Sequence, residues 1–270
     1  MSDKVVPLKL GEKLAMPGEQ IEVFEPKVRQ PKAYPLTFLK EMMVEPASKS
    51  WIFKGLIAHD ENSEWFGPPG SLKSSLLTEM GVHAAAGIDW RGFRSKGACG
   101  VIYIALERAD LTKRRIRAHV ARRGLPDTLP IAVVGASVIL NRPDSHKAVE
   151  DTIEAAEHEW GIPVGLIIFD TFSALIAAGG GNEDKAQDQG IIYAQIQEVK
   201  RFRKLHVAIV GHTGKDESRG KSGSNQGKRI TDMEVQLSGK SIRTAEIIKR
   251  NDGEEGPLFS FTHAIHEFVA

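Results

Sequence analysis

Short apolar runs alternate with helical segments through the middle of the chain, and this alternation constrains the fold more than any other feature. The runs are GVIYIAL (100–106), IAVVGA (131–136), VGLIIFD (164–170) and HVAIV (206–210). They are short and rich in β-branched residues, as expected for strands buried on both faces. Buried strands that alternate with helices require a parallel sheet with right-handed crossovers. The sequence therefore predicts an α/β fold with a mainly parallel central sheet flanked by helices.

The two ends of the chain depart from this pattern. After Gly214 a loop rich in Gly, Ser and Lys leads into residues 232–268, where turns at SGKS and NDGEEG separate three strand-like runs. This tail predicts antiparallel strands at one edge of the sheet. Residues 1–36 carry prolines and alternating charges with little periodicity, which is typical of a mobile arm. We therefore expect an N-terminal arm over 1–36 and one domain over 37–270.

Composition limits the partners, the cellular compartment and the membrane contact that we expect of this chain. Lys and Arg total 36 against 35 Asp and Glu, so net charge alone gives no argument for a nucleic-acid partner. A single cysteine, Cys99, excludes an intramolecular disulfide and suits a reducing compartment. The first residues lack the apolar region of a signal peptide, and no apolar run is long enough to cross a bilayer. These features predict a cytoplasmic protein without membrane contact.

One glycine-containing stretch, GPPGSLKSS, follows the apolar residues EWF and opens a segment with helical spacing. Strand, glycine loop and helix in this order are the context of a phosphate-binding loop. Gly67 and Gly70 would let backbone N–H groups turn toward phosphate oxygens at the positive end of the helix. Lys73 would neutralise the β- and γ-phosphates, and Ser74 would bind Mg²⁺. We assign nucleotide binding to the whole loop: Gly67, Pro68, Pro69, Gly70, Ser71, Leu72, Lys73, Ser74 and Ser75.

The loop departs from the G-x-x-x-x-G-K-[ST] pattern at Leu72, where the pattern has its second glycine. We expect the backbone at Leu72 to have ordinary right-handed dihedral angles, which a leucine tolerates, and the side chain to point away from the phosphates. The alternative interpretation is a proline-glycine turn before a helix that happens to contain Lys-Ser.

Two acids follow predicted strands. Asp170 ends VGLIIFD, at the place where open α/β sheets bind their ligands, and we predict that it binds the Mg²⁺ of a bound ATP. Its alternative role is the N-cap of the next helix. Because Thr171 rather than an acid comes next, the base that activates water must come from elsewhere. We select Glu107, which follows GVIYIAL; alternatively it is a solvated acid at a helix start.

Three further polar residues complete the predicted catalytic set. His212 ends the strand HVAIV and would sense the γ-phosphate or the attacking water, although a hydrogen-bonded histidine at a strand end explains it nearly as well. Lys249 and Arg250 finish a strand of the tail, far along the chain from the loop. Phosphoryl-transfer enzymes commonly take a cation from a neighbouring subunit; alone, these two are basic residues beside a hairpin turn.

Five features of the sequence together resemble the RecA-like P-loop ATPases. They are the glycine loop, ALE at Glu107, IIFDT at Asp170, GHTGKD…RGKSGS and the KRNDG hairpin. Within these ATPases the chain is most similar to the RepA-type hexameric helicase family (AAA_25-like), from about Trp51 to Phe268. The resemblance implies a RecA-like fold, ATP and Mg²⁺ as ligands, and catalytic roles for Lys73 and Glu107. It also implies that Arg219 reaches the adjacent subunit's site and that Lys249 and Arg250 act in trans. The chain departs from the family's sequence pattern at two places: at Leu72, which replaces a glycine, and in the residues that follow RGKSGS.

Family members typically form rings, commonly hexamers, around single-stranded DNA and couple ATP hydrolysis to movement along it. In this chain the best candidate for DNA contact is the basic loop, with Arg219, Lys221, Lys228 and Arg229. A second basic segment, LTKRRIRAHVARRG, is more simply explained as a solvated helix face. Two functions remain open: a ring-forming ATP-driven motor in replication or recombination, working with other replication proteins, and a nucleotide-binding regulator with little or no hydrolysis.

Overall fold

The computed structural model describes residues 36–44, 49–201, 203–212 and 230–265. Contacts within the chain divide it into two compact units, Met1–Ala47 and Ser48–Ala270. The first unit contains a one-turn helix, α1 (Leu39–Met42). Most of the predicted arm, 1–36, lies outside the described residues. Every element named below belongs to the second unit.

Eight strands form the central sheet, in the order β10-β9-β8-β3-β7-β6-β4-β5. Their bounds are β3 Asn62–Phe66, β4 Gly100–Ala105, β5 Ile131–Val134, β6 Val164–Asp170, β7 His206–Val210, β8 Met233–Ser238, β9 Arg243–Arg250 and β10 Gly256–Phe261. A separate two-stranded sheet pairs β1 (Trp51–Phe53) with β2 (Ile57–Ala58). The strands from β8 to β5 pair in parallel, whereas β9 pairs antiparallel with both of its neighbours, β8 and β10. The predicted α/β fold with antiparallel C-terminal strands is confirmed. The tail joins the sheet through β8, which pairs in parallel with β3.

Within the described residues of the second unit, five helices cover the two faces of the sheet. They are α2 (Lys73–Ala86), α3 (Ala109–Arg123), α4 (His146–Trp160), α5 (Phe172–Ala178) and α6 (Ala186–Lys200). Side chains of β4 alternate between the faces: Tyr103 packs with α2 residues in one apolar cluster, and Ile102 and Ile104 pack with α4, α5 and α6 residues in another. The apolar strand runs are therefore buried on both faces, as their composition predicts. No described helix is long and apolar enough to cross a membrane.

A buried histidine fastens β3, the strand that leads into the glycine loop, to the neighbouring β7. His206 lies in β7 with its Nδ1 2.7 Å from the Ala58 backbone oxygen and its Nε2 2.8 Å from Ser63 Oγ. Because a carbonyl only accepts, Nδ1 carries the proton and Nε2 accepts from the Ser63 hydroxyl. The Trp65 indole donates in turn to Ser63 Oγ at 3.0 Å. This chain of bonds is complete only with a neutral imidazole, and burial lowers the pKa of His206 to about 3.

We predict that His206 makes the protein sensitive to acid. The folded-state pKa lies below the ordinary value of 6.5, so below pH 6.5 the unfolded chain takes up a proton that the folded chain does not. The free energy of unfolding should fall by about 2 kcal/mol between pH 6.5 and pH 5 from this group. Urea unfolding should show a smaller loss over this range for His206→Asn, which keeps a donor for the Ala58 oxygen.

The matched control is His158→Asn, which removes an exposed imidazole from α4 and should keep the wild-type loss. An equal loss of unfolding free energy in wild type and His206→Asn would contradict the prediction.

Candidate active site

Four segments that carry predicted site residues meet at the carboxyl edge of the parallel strands. In the sheet register Val210, Asp170 and Ala105 lie side by side at the ends of β7, β6 and β4. The glycine loop leaves β3 at this same edge, Glu107 follows β4, and His212 follows β7. Parallel strands place all their carboxyl ends on one side of a sheet, and ligands of open α/β folds bind there. The topology thus gathers residues that are far apart in the chain.

The geometry of the loop requires glycine at position 67 and favours it at position 70. A Cβ atom at Gly67 would lie 2.5 Å from the Leu237 backbone oxygen and 2.9 Å from Ser71 Oγ, which leaves no space for a side chain. Gly70 has a φ of +79°, in the left-handed region that favours glycine. Arg243, at the start of β9, donates from Nη2 to the Gly70 oxygen at 3.2 Å. The loop is therefore fastened to the tail of the chain, a contact that the sequence did not predict.

Leu72 has a left-handed backbone, and the expectation of right-handed dihedral angles at this residue is wrong. Its φ is 67° and its ψ is 24°, at the N-cap of α2. The chain turns there from loop to helix, and the Leu76 N–H donates to the Leu72 oxygen at 2.9 Å. An L-residue in this region costs about 1–2 kcal/mol. The Leu72 side chain packs against the apolar cluster beneath α2, and this packing offsets the cost.

Lys73 folds back into the loop that it follows. Its Nζ donates to the Gly67 oxygen at 2.7 Å and to the Pro68 oxygen at 3.1 Å. Burial lowers the pKa of Lys73 to about 8, against the opposing effect of the Asp170 and Glu107 carboxylates. The ammonium group lies where the loop surrounds it with oxygen acceptors, so phosphate oxygens can replace those carbonyls as its partners.

Ser74 and Asp170 form the pair of oxygen ligands that the sequence predicts for Mg²⁺. The Ser74 hydroxyl, in the first turn of α2, donates to Asp170 Oδ1 at 3.1 Å. The other carboxylate oxygen, Oδ2, accepts from the buried Tyr103 hydroxyl at 2.7 Å. Burial raises the pKa of Asp170, while the hydrogen bonds from Tyr103 and Ser74 lower it. A hydroxyl beside a carboxylate fits Mg²⁺, which binds few protein oxygens and keeps several waters.

The helix cap after β6 is Thr171, which removes the alternative role considered for Asp170. The Ala174 N–H donates to Thr171 Oγ1 at 3.3 Å, at the N-cap of α5. The same hydroxyl donates to Glu107 Oε1 at 2.8 Å. Glu107 is exposed, two residues before α3, and lines the cleft above the loop. It is therefore a carboxylate with one oxygen held by Thr171 beside the predicted phosphate site, which is the position a general base needs.

A cleft of about 270 Å³ joins these groups. It is lined by the loop residues Pro69, Gly70, Leu72, Lys73, Ser74 and Ser75, by Glu107, Arg108, Leu111, Thr112 and Arg115, and by Asp170, Thr171, Val210 and His212. Burial lowers the pKa of His212, and the nearby Lys73 lowers it further. The imidazole thus favours its neutral form at the wall of the cleft.

Several residues of the site were not predicted from the sequence, among them Tyr103, Arg115, Thr171 and Arg243. Arg115 is half-buried and lines the cleft with Leu111, four residues earlier on the same face of α3, and with Arg108, the N-cap residue of that helix. Because Glu107 comes just before this helix, that spacing was a usable signal. Tyr103 and Arg243 carried no such signal, since nothing in their neighbourhood along the chain indicates which distant residue they contact.

The predicted basic pair of the tail does not lie in the cleft of its own chain. Lys249 Nζ contacts the Thr231 oxygen, and Arg250 Nη2 donates to the Gly55 oxygen at 2.9 Å. In the register Arg250 lies opposite Met233, at the amino end of β8 and away from the edge that carries the loop. Arg219 lies outside the described residues. A catalytic role of Lys249 and Arg250 in trans stays a prediction.

A second, larger cleft of about 890 Å³ opens beside the first. Its walls are Leu72, Ser75, Leu76, Glu79 and Arg91, then Arg114, Arg115, Ala118, His119, Arg122 and Arg123 of α3, and residues 261–264, which begin at the last residue of β10. Glu79 pairs with Arg91 at 2.7 Å and with Arg123 at 2.9 Å. Four arginines of α3 therefore line this cleft, and two of them, Arg114 and Arg122, are also exposed, as expected for the solvated face that the sequence favours.

Comparison with known proteins places these features in a family. The family model AAA_25, described as an AAA domain, matches residues 28–218, well over half of the chain. The match includes the glycine loop, Glu107, Asp170 and His212. It begins before the predicted domain start at residue 37 and ends before the antiparallel tail. No curated protein matches the chain.

We predict that glycine is the more stable small replacement at Leu72. Both Leu72→Gly and Leu72→Ala remove the packed side chain, but only alanine keeps the left-handed strain. The glycine variant should therefore unfold at higher urea, with a free energy of unfolding about 1 kcal/mol greater than that of the alanine variant.

The control is Ala118→Gly, in the middle of α3, where glycine should be about 1 kcal/mol less stable than alanine. If alanine is as stable as glycine at position 72, the left-handed conformation is contradicted.

Proposed function

Since the chain belongs to the AAA_25 family of RecA-like P-loop ATPases, we propose that it binds ATP with Mg²⁺ and hydrolyses it at the carboxyl edge of its sheet. One observation supports this assignment above the others. A loop ammonium, a hydroxyl–carboxylate pair and a candidate base line one cleft of about 270 Å³. A proline-glycine turn with a chance Lys-Ser sequence does not explain why Asp170 and Glu107 lie beside it.

The residues of the cleft divide the work of phosphoryl transfer. Lys73 would exchange the carbonyls of Gly67 and Pro68 for oxygens of the β- and γ-phosphates, and Ser74 and Asp170 would hold Mg²⁺. The ion, when bound, neutralises charge on the phosphate oxygens. These roles use side chains whose distances fit them: Ser74 Oγ lies 3.1 Å from Asp170 Oδ1.

Glu107 is the proposed general base. Hydrolysis forms a bond from the water oxygen to the γ-phosphorus and breaks the bond to the bridging oxygen of ADP; the Glu107 carboxylate accepts the water's proton. The Thr171 hydroxyl holds one Glu107 oxygen at 2.8 Å and leaves the other available to water. Arg115, half-buried in the wall of the cleft, adds positive charge near the phosphates.

The larger cleft is the proposed location of the nucleoside. It shares Leu72, Ser75 and Arg115 with the phosphate cleft, so a ligand whose phosphates lie on the loop extends into it. Leu72 and Leu76 offer apolar surface, and the guanidinium planes of Arg114 and Arg122 are suited to stacking on a base.

Oligomerisation and DNA are the finer parts of the proposal. Lys249 and Arg250 lie away from the cleft of their own chain, so a role in phosphoryl transfer requires a second copy. The resemblance supports a homo-oligomeric ring and leads us to expect a hexamer. Single-stranded DNA as the substrate and other replication proteins as partners are supported by the resemblance and by the basic residues Lys221, Lys228 and Arg229 of the loop.

We predict that Lys73→Ala and Glu107→Gln separate binding from hydrolysis. Lys73→Ala should lose most nucleotide affinity. Glu107→Gln should keep it within about threefold while turnover falls about 10²–10⁴-fold. The assays are fluorescent-nucleotide binding and phosphate release, with and without a single-stranded oligonucleotide.

The control is Glu159→Gln, which changes an exposed acid of α4, on the face of the sheet opposite α2. This variant should hydrolyse ATP at the wild-type rate. If wild type binds nucleotide but releases no phosphate under any of these conditions, the protein is a nucleotide-binding regulator and not an ATPase.

We predict that an Arg250→Ala variant and a Lys73→Ala variant complement each other. Each is expected to be inactive alone. In an equal mixture, about a quarter of random interfaces join an intact loop to an intact Arg250, so about a quarter of wild-type turnover should return. A mixture that stays as inactive as its components would contradict the trans role.

A further inference from the structure

Tyr103 is a buried tyrosine whose hydroxyl faces a predicted metal ligand. Its side chain is 0% exposed, in the middle of β4. A buried phenol needs a hydrogen-bond partner, and Tyr103 donates to Asp170 Oδ2 at 2.7 Å. The next contact of the hydroxyl is the Ser74 backbone oxygen at 3.3 Å. Tyr103 thus contacts both residues of the proposed metal pair from beneath.

The two oxygens of Asp170 have different partners. Oδ1 accepts from the Ser74 hydroxyl at 3.1 Å and Oδ2 accepts from Tyr103 at 2.7 Å. Ser74 belongs to α2, Asp170 to β6 and Tyr103 to β4, so three elements converge on one carboxylate. Hydrogen bonds at both oxygens fix the rotation of the carboxylate plane. As a result Oδ1, rather than Oδ2, is the oxygen presented beside Ser74.

The structure assigns Tyr103 as a positioning residue for Mg²⁺: it holds Asp170 so that one carboxylate oxygen stays beside Ser74. This inference rests on the proposed function. Mg²⁺ demands nearly ideal octahedral geometry, and carboxylates that bind metals are themselves held by hydrogen bonds from a second layer of residues. Tyr103 is too deeply buried to touch the ion or the nucleotide; it acts through Asp170.

A second buried tyrosine provides a matched control. Tyr193, in α6, is also 0% exposed, and its hydroxyl donates to Glu64 Oε2 at 2.9 Å. Tyr193 packs in the apolar cluster of α4, α5 and α6, whereas Tyr103 packs in the cluster of α2. Phenylalanine at either position removes a buried hydroxyl from a buried carboxylate, but only at Tyr103 is that carboxylate Asp170.

The test is the Mg²⁺ dependence of ADP binding, followed with a fluorescent ADP in wild type, Tyr103→Phe and Tyr193→Phe. In EDTA the three proteins should bind ADP with the same affinity. On Mg²⁺ titration, half-saturation should move about tenfold higher for Tyr103→Phe and stay at the wild-type value for Tyr193→Phe. An equal shift in both variants, or none in Tyr103→Phe, overturns the inference.

Failure of the proposed function has a different signature: the wild type would bind no ADP, or bind it without any effect of Mg²⁺, and the assignment of Tyr103 would fall with it. If Tyr103→Phe does not fold, the wild type itself provides the test. The chain has 3 tyrosines, so ¹⁹F NMR of 3-fluorotyrosine protein resolves each. Adding Mg²⁺ to the ADP complex should shift the Tyr103 resonance and leave that of Tyr193; an unmoved Tyr103 resonance overturns the inference.

Discussion

The parallel pairing of β3, β7, β6 and β4 is the constraint on which the rest of the site depends. Each strand is buried on both faces, so its register is fixed by apolar packing above and below. The pairing sets Asp170 beside Val210 and Ala105 at one edge. Ser63 and His206 reinforce the same pairing with a buried hydrogen bond at the amino end of β3. This strand pairing therefore brings together the glycine loop, the carboxylates of Asp170 and Glu107, and the His212 imidazole.

Within that frame, Leu72 shows how the core and the loop share one residue. A glycine would adopt the left-handed turn into α2 without strain, but it would leave the apolar cluster under α2 without the leucine side chain. The leucine therefore keeps its side chain packed in this cluster, although its left-handed backbone is strained. Gly67 has no such freedom, since it lacks space for a Cβ; Gly70 has space for one, but its φ of +79° would strain any other residue, as it does at Leu72.

The sequence predicted the features that follow from hydrophobic periodicity and from the order of strands and helices along the chain. The alternation of strands and helices gave the sheet, and the ends of its strands gave Asp170, Glu107 and His212, since parallel strands share one functional edge. It failed where dihedral angles or contacts over long chain separations decide. The conformation of Leu72 and the contacts of Tyr103 with Asp170 and of Arg243 with Gly70 depend on tertiary structure. No local pattern encodes them.

We propose that this cleft hydrolyses ATP although leucine replaces the second glycine of its loop. The most direct measurement is the ATP turnover of wild type beside Leu72→Gly, at saturating ATP and Mg²⁺. A loop that is already competent predicts measurable wild-type turnover and a change of no more than about fivefold in the variant. A gain of about a hundredfold or more on introducing glycine would show that the natural site is impaired, and would contradict the account.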